Sequence, residues 1–383
     1  MRLLYTCSEL GLGHANRTIA LGKNLEKRGH DVYFFSGGKG YQLLKKEFKK
    51  VYPVTPIAWY ENGKGINTFA SVINIIVPLR YFDYDSNCFK TKSFIFSEIV
   101  NRYYGLRDHI RQIRPDLLIA DGDIPALRLA QKWKIPHVYI TNLIRPSHNF
   151  SSLLGPGERL TEMYTTKCTK IIVPDNPPPY TVCDYNMGDL GSVGVKGKVE
   201  FVGSFFDTAS VQGLNKHIFA PVSGPFGTRV KLLKMLVPVF ENLGEKGVIS
   251  LGMPGERNIG KRNGCLLYSW LTTKERQEYM RNASIVVFSG GHITCFETIK
   301  YAKPSICIPT QPEQHANAAK LQDMKCSLIA RDQHELAEAI KKIESNYDYY
   351  KKNAEKLNRF SNKFDGVKRA TEIIESLTPN SFT

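Results

Sequence analysis

The sequence predicts an α/β protein built as two doubly wound domains, and three observations carry that reading. The chain has 383 residues, more than one hydrophobic core commonly supports, so two units of roughly 150 to 200 residues are expected. Short runs rich in Val, Ile, Leu and aromatic residues alternate with helix-length amphipathic segments, the pattern of parallel strands covered on both faces. The alternation breaks at small and polar residues from Gly203 to about Asn215 and then begins again.

In the first half, strands are expected near 2–7, 31–35, 50–54, 116–120, 136–141 and 170–173, with helices near 14–28, 38–47, 87–114 and 123–133. In the second half, strands near 217–222, 247–251, 264–268, 284–288, 304–308 and 326–329 alternate with helices near 228–243, 273–281, 293–301, 315–323 and 333–344. The expected organisation is a first domain over 1–203, a linker over 204–215, a second domain over 216–345 and a closing segment over 346–383. That last segment is a lysine-rich helical pattern, broken near Gly366, expected to pack back across the first domain.

Composition narrows the class. Hydrophobic residues at 42% and charged residues at 23% describe a globular protein. The 52 Lys+Arg against 36 Asp+Glu leave a formal charge of +16, which favours polyanions, an anionic membrane surface or phosphorylated substrates. The charge is not joined to a recognised RNA or DNA motif, so nucleic-acid binding is not expected. Eight cysteines occur without a C-x-x-C pair, reading as small buried hydrophobes of a reducing compartment. The longest apolar run, VINIIVPL at 72–79, is too short to span a bilayer, and a cytoplasmic protein is expected.

Open parallel sheets bind ligands outside the carboxyl ends of their strands, where helix N-termini gather. The polar clusters of this sequence fall there: His14 after strand one, Asp121 after LLIA, Ser223-Gly224 after HIFAPV, Gly290-Gly291-His292 after SIVVF, and Glu313-Gln314 after SICIP. They point to a cleft between the domains. The first loop, GLGHANR over Gly11 to Arg17, is not a dinucleotide fingerprint. Asn16 replaces the third glycine, and the tip of the second strand reads Ser36-Gly37-Gly38 with no acid to grip a ribose. Asp121-Gly122-Asp123 admits two accounts. Paired carboxylates suit a divalent cation; alternatively Asp121 partners His14 and Asp123 caps the next helix.

The segments GLGHANR, PDLLIADGD and VFSGGHITCFETIKYAKPSICIPTQPEQHANAA resemble the two-Rossmann-domain (GT-B) glycosyltransferases. They are most similar to the MurG-like branch, which moves N-acetylglucosamine from a UDP-sugar to a lipid-linked acceptor. The resemblance implies an acceptor-binding first domain and a nucleotide-sugar-binding second domain. His14 is expected to take the proton of the acceptor hydroxyl, and Asp121 to hold the other ring nitrogen and stabilise the imidazolium. Gly13, just before His14, is grouped with the donor-contacting residues. Ser289, Gly290, Gly291, His292 and Thr294 are expected to hold the UDP diphosphate at a helix N-terminus. Glu297 is expected to bind the ribose diol, or else to form a capping box with Thr294. Glu313 and Gln314 resemble the pair that touches donor-sugar hydroxyls, with Asn317 one turn on. Ser223, Gly224 and Thr228 look like the other wall of the diphosphate site. Tyr268-Ser269-Trp270 occupy the place where relatives offer backbone groups to uracil, and Trp270 reads equally as core.

The acceptor is written less clearly. Residues 67–82 and the helix carrying Arg102, Arg107, Arg111 and Arg114 read either as a face for an anionic bilayer and a polyprenyl-diphosphate-linked sugar, or as a buried helix with a solvated arginine stripe. Arg17 reads as an acceptor-phosphate ligand or a solvated helix arginine, and Lys45, Lys46, Lys49 and Lys50 as solvated. The expected protein is a metal-independent, inverting glycosyltransferase that uses a UDP-sugar as substrate and needs no cofactor. The alternatives are a UDP-sugar epimerase or hydrolase on the same fold, and a non-catalytic nucleotide-sugar-binding protein.

Overall fold

The computed structural model describes the chain apart from residues 10–11, 58–59, 63–64, 67, 84–87, 146–160, 208–212, 225, 254–258 and 378–383. Gly11 of the first loop, Pro225 and the middle of the expected linker lie outside the described residues.

The first sheet contains, in chain order, β1 (Arg2–Cys7), β2 (Asp31–Ser36), β3 (Val51–Pro53), β4 (Leu117–Asp121), β5 (His137–Ile140), β6 (Lys170–Val173) and β7 (Val199–Phe201). Their spatial order is β7-β6-β5-β4-β1-β2-β3, every pair parallel. The second sheet contains β8 (His217–Pro221), β9 (Gly247–Ser250), β10 (Ile259–Arg262), β11 (Cys265–Tyr268), β12 (Ala283–Phe288), β13 (Ser305–Cys307) and β14 (Ser327–Ile329). It runs β10-β11-β9-β8-β12-β13-β14, parallel except for the antiparallel edge pair β10 and β11. Two strands of these sheets lie outside the expected set. β7 is only three residues long, and β10 is exposed throughout, so neither shows the apolar run of a buried strand.

The main helices are α1 (Leu12–Lys27), α2 (Gly38–Glu47), α3 (Ile95–Ile113), α4 (Ile124–Lys132), α5 (Phe226–Leu243), α6 (Thr273–Asn282), α7 (His292–Lys300), α8 (Pro312–Asp323), α9 (Gln333–Ser345), α10 (Tyr347–Ser361) and α11 (Gly366–Ser376). The helix expected over 87–114 begins only at Ile95, because Cys88–Lys92 pairs with Leu79–Asp83 as an antiparallel ribbon. Within 67–82 only Thr68–Ile73 is helical. Asn74 holds the following turn through bonds from Nδ2 to the carbonyls of Val77 and Ser93.

Each sheet is covered on both faces. Leu3, Tyr5, Phe34 and Ile119 pack against Leu21 and Leu25 of α1 and Ile373 and Ile374 of α11. Leu4, Phe35, Leu118 and Ile171 pack against Leu106 of α3 and Leu127 of α4. The second sheet is sandwiched in the same manner. The closing segment is two helices. α10 lies on the second domain, where Asn358 Nδ2 donates to the carbonyls of Ile299 and Lys300. α11 returns to the first domain and fixes itself through Glu375 to Arg28 and His30. The two crossings touch: a Cβ on Gly366 would lie 2.3 Å from the Gly203 carbonyl oxygen, so only glycine fits where they meet.

The chain order places the cleft. β1 lies between β2 and β4, and β8 between β9 and β12, so each sheet reverses its strand order there and opens a crevice at the strand ends. His14 and Asp121 stand at the first crevice, and Ser223 and Ser289 at the second.

Candidate active site

The first crevice holds a compact ionic cluster. Cys7 and Asp121 are in register at the ends of β1 and β4, and α1 starts beyond β1, so His14 in its first turn reaches across. His14 Nδ1 lies 2.7 Å from Asp121 Oδ1, with the imidazole 22% and the carboxylate 0% exposed. A carboxylate only accepts, so a neutral imidazole that bonds Asp121 carries its proton on Nδ1 and leaves the lone pair on Nε2. Gly122 makes the close approach possible. Its φ is +67°, and a Cβ there would sit 2.8 Å from His14 Cε1.

Arg17 is the unforeseen member. It is buried and donates Nε to both oxygens of Asp121 at 2.9 and 2.7 Å, while Nη2 reaches Oδ1 and lies 2.8 Å from His14 Nδ1. It is therefore neither a solvated helix arginine nor free to hold an acceptor phosphate. Burial opposes ionisation of Asp121, but Arg17 and then His14 outweigh it and hold the carboxyl below its ordinary value. Asp123 has its own arginine. Arg102 Nη2 and Nε donate to Asp123 Oδ2 at 2.7 and 3.0 Å, and Arg102 Nη1 donates to Glu9 Oε2 at 3.0 Å. Asp123 also caps α4, accepting from Ala126 N. Thus Arg102 is buried rather than part of a solvated stripe. Both carboxylates of Asp121-Gly122-Asp123 are engaged by guanidinium groups, so no free pair remains for a cation. Burial raises the Glu9 carboxyl above its ordinary value, against the pull of Arg102.

The second crevice faces the first. A Cβ on Gly13 would lie 3.0 Å from Ile293 Cδ1, so the start of α1 abuts the start of α7. Gly291 is the N-cap of α7, with no side-chain cap. Ser289 and Thr294 are buried beside it. The Thr294–Glu297 capping box does not form. Glu297 instead accepts from Arg276 Nε at 3.1 Å and from Arg276 Nη2, and Arg276 Nη2 also donates to Thr294 Oγ1 at 3.4 Å. Arg276 was absent from the expected set; α6 brings it in from outside the glycine motif. Ser223 and Gly224 are exposed and Thr228 is buried, at the start of α5.

Other expected contacts find different partners. His292 turns toward the first domain, its Nε2 2.9 Å from Asp175 Oδ2, so that nitrogen is committed away from a diphosphate. Asp175 is buried and also accepts from the backbone N–H groups of Asn176, Val182 and Cys183. Among the described residues Asp175, Cys183 and His292 come close enough to hold a metal ion. Asp175 is already satisfied, however, and burial holds the Cys183 thiol far above its ordinary value; the trio is a hydrogen-bonded clasp between domains. Asn317 is fully buried. It donates to the Gly290 carbonyl at 3.1 Å and accepts from Asn186 at 2.9 Å, which makes it a structural residue. Tyr268 gives its carbonyl to Leu251 N and its phenol to Tyr279, while Ser269 gives its carbonyl to Met253 N. Each of those two carbonyls already accepts one backbone bond. Trp270 is 39% exposed rather than core. Gln314 Oε1 accepts from Thr310 N and Oγ1, leaving its amide nitrogen available, and Glu313 Oε1 accepts from Asn142 Nδ2 at 2.9 Å.

Comparison with known proteins sets this geometry in a class. Residues 268–370 match the model of the glycosyltransferase family 28 C-terminal domain. An uncharacterized glycosyltransferase of Methanosarcina acetivorans is 24% identical over 97% of both chains. The UDP-N-acetylglucosamine–N-acetylmuramyl-(pentapeptide) pyrophosphoryl-undecaprenol N-acetylglucosamine transferase of Clostridium tetani is 21% identical over 95% of this chain and 94% of its own. The crystal structure of the kitacinnamycin glycotransferase superposes with a TM-score of 0.73 at 16% identity, covering 99% of each chain. With the fold of GT-B structures over 99% of its length, a match to the family 28 C-terminal model over residues 268–370 and glycosyltransferases among its relatives, the protein is a glycosyltransferase with a GT-B fold.

Proposed function

We propose that this glycosyltransferase moves N-acetylglucosamine from UDP-N-acetylglucosamine to a hydroxyl of a lipid-linked glycan, with inversion and without a metal. The observation that carries the reading is the His14–Asp121 pair at the mouth of the first crevice, opposite the uncapped start of α7. The acceptor hydroxyl is a weak nucleophile near neutral pH; Nε2 of His14 takes its proton as it attacks the anomeric carbon. Asp121 holds the tautomer and balances the imidazolium that forms. The leaving UDP is stabilised by backbone N–H groups at the starts of α7 and α5 and by their helix dipoles. Ser223, Ser289 and Thr294 add hydroxyl donors, and Glu297, fixed by Arg276, receives the ribose diol. Glu313 and the free amide nitrogen of Gln314 face the sugar. The arginines on Asp121 and Asp123 are the reason a metal is not assigned to D-G-D.

The acceptor reading rests on an apolar shelf of the first domain. Ile73, Ile75, Ile76, Val77 and Phe96 are exposed, Ile76 to 75%, and Phe96 N bonds the Ile75 carbonyl, which makes them one patch. Arg80 and Lys90 on the adjoining ribbon are exposed too. Apolar side chains beside cations suit the surface of an anionic bilayer; among the described residues no helix is long and apolar enough to cross one.

A thermal-shift comparison of UDP, TDP and GDP, followed by UDP-sugar turnover, tests the donor. UDP should give the largest stabilisation, growing as RT ln(1 + [L]/Kd); a larger shift with TDP sinks the uridine assignment. Co-sedimentation with phosphatidylglycerol vesicles tests the shelf. Ile76→Glu should abolish it while leaving UDP binding intact.

A further inference from the structure

Asn142 lies just beyond β5, buried between the two crevices. Its Nδ2 donates to Glu313 Oε1 of α8 at 2.9 Å, and its Oδ1 accepts from Arg17 Nη1 of α1 at 3.5 Å. The neighbours dictate this orientation: a carboxylate can only accept and a guanidinium can only donate, so the amide fits one way round. Arg17 holds Asp121, and Asp121 holds His14. A continuous polar path therefore runs from the carboxylate on the second domain to the imidazole on the first.

We propose that Asn142 is a positioning residue that couples Glu313 to the His14–Asp121 pair. The proposal rests on the reading of His14 as base and Glu313 as a donor-sugar contact. The Asn142–Glu313 bond crosses the cleft, so it forms only when the domains are closed. A sugar hydroxyl that bonds Glu313 competes for the same carboxylate, alters the amide's hold on Arg17, and through Arg17 adjusts the carboxylate that orients the imidazole. Base alignment is thereby tied to an occupied donor site, which protects the donor from attack by water in an open cleft.

The test is a double-mutant cycle read by NMR of the His14 ring, with Asn142→Asp as the second substitution. Asn142→Asp keeps an acceptor for Arg17 and loses the donor to Glu313 without opening a cavity, but it sets a second carboxylate beside Glu313, so the cycle is repeated with the uncharged Asn142→Leu, for which the same outcome is expected. In ligand-free protein, Glu313→Ala should displace the His14 ring resonances, and the same change in the Asn142→Asp background should displace them much less. Equal displacements in the two backgrounds, or none in the native background, overturn the proposal. Kinetics supplies the second measurement: Asn142→Ala should lower kcat by about 10-fold while UDP affinity stays within about 2-fold. An unchanged kcat also overturns it. Failure of the native protein to use any UDP-sugar sinks the proposed function, and the NMR cycle still decides the coupling because it needs no donor.

Discussion

The starts of α1 and α7 occupy equivalent places, each after a strand beside the reversal point of its sheet, yet they are built from opposite materials. Beside the start of α1 lie two sets of buried ion pairs, Arg17 with Asp121 and Arg102 with Asp123 and Glu9. Around α7 the space over Gly291 is open: among the described residues beyond its chain neighbours, a Cβ there would meet Ser289 Oγ alone, at 4.0 Å. A rigid array of fixed charges suits a proton transfer, which needs one nitrogen held at one angle. Open backbone at a helix end suits an incoming anion, which brings its own charge. On the proposed function, one topology thus supplies two halves of a reaction, and the side chains decide which half is which.

The largest effect should come from His14→Ala. It should lower turnover by roughly 10²–10⁴-fold while UDP affinity by calorimetry stays level, since the proposed nucleotide site is the other crevice. Comparable turnover in the variant at saturating donor and acceptor would return α1 to a purely structural role.

Next is Arg17→Met, which strands Asp121 as a buried carboxylate without its cation and should cost about 3–5 kcal/mol in urea unfolding. Its pH dependence has a defined sign. The native Asp121 carboxyl is held below its ordinary value, so its contribution to stability is present above about pH 4 and lost as pH falls through the lowered folded value. In Arg17→Met burial acts unopposed by the guanidinium, the carboxyl rises, and acidification should relieve the defect instead of deepening it. Parallel stability–pH curves for the two proteins would refute the ion-pair account.

Glu297→Ala sharpens the other side of the comparison. It removes the proposed ribose contact and leaves Arg276 without its carboxylate, so UDP should bind roughly 10-fold more weakly, whereas the His14 variant should show no such loss. Equal UDP affinity in native and Glu297→Ala protein would leave Glu297 as a partner of Arg276 alone. The smallest effect is expected from EDTA, which should leave transfer unchanged; activity lost to the chelator and restored by Mn²⁺ would move the diphosphate site to a metal.

What could be read along the chain follows from locality. Strand and helix periodicities, the glycine-rich turns, and the Asp123 cap each depend on residues within a few positions. The His14–Asp121 pairing was also legible, since the parallel order of the sheet sets both residues at neighbouring strand ends. Arg17 was misread because its solvation depends on a carboxylate 104 residues away, and no periodicity reports that distance. The same holds for His292, whose partner Asp175 is 117 residues off in the other domain, and for Asn142, which means nothing until α8 lies across the cleft.

Residues near one another along the chain suffice for two doubly wound halves, the strand ends at which polar groups collect, and the residue types offered there, because backbone preference and apolar periodicity act over one element at a time. Which charge neutralises which depends instead on residues far apart in the chain. A buried ion must find a counter-ion wherever the fold brings one, and that choice made Arg17 part of the His14 cluster, Arg102 the keeper of Asp123, and Arg276 the partner of Glu297.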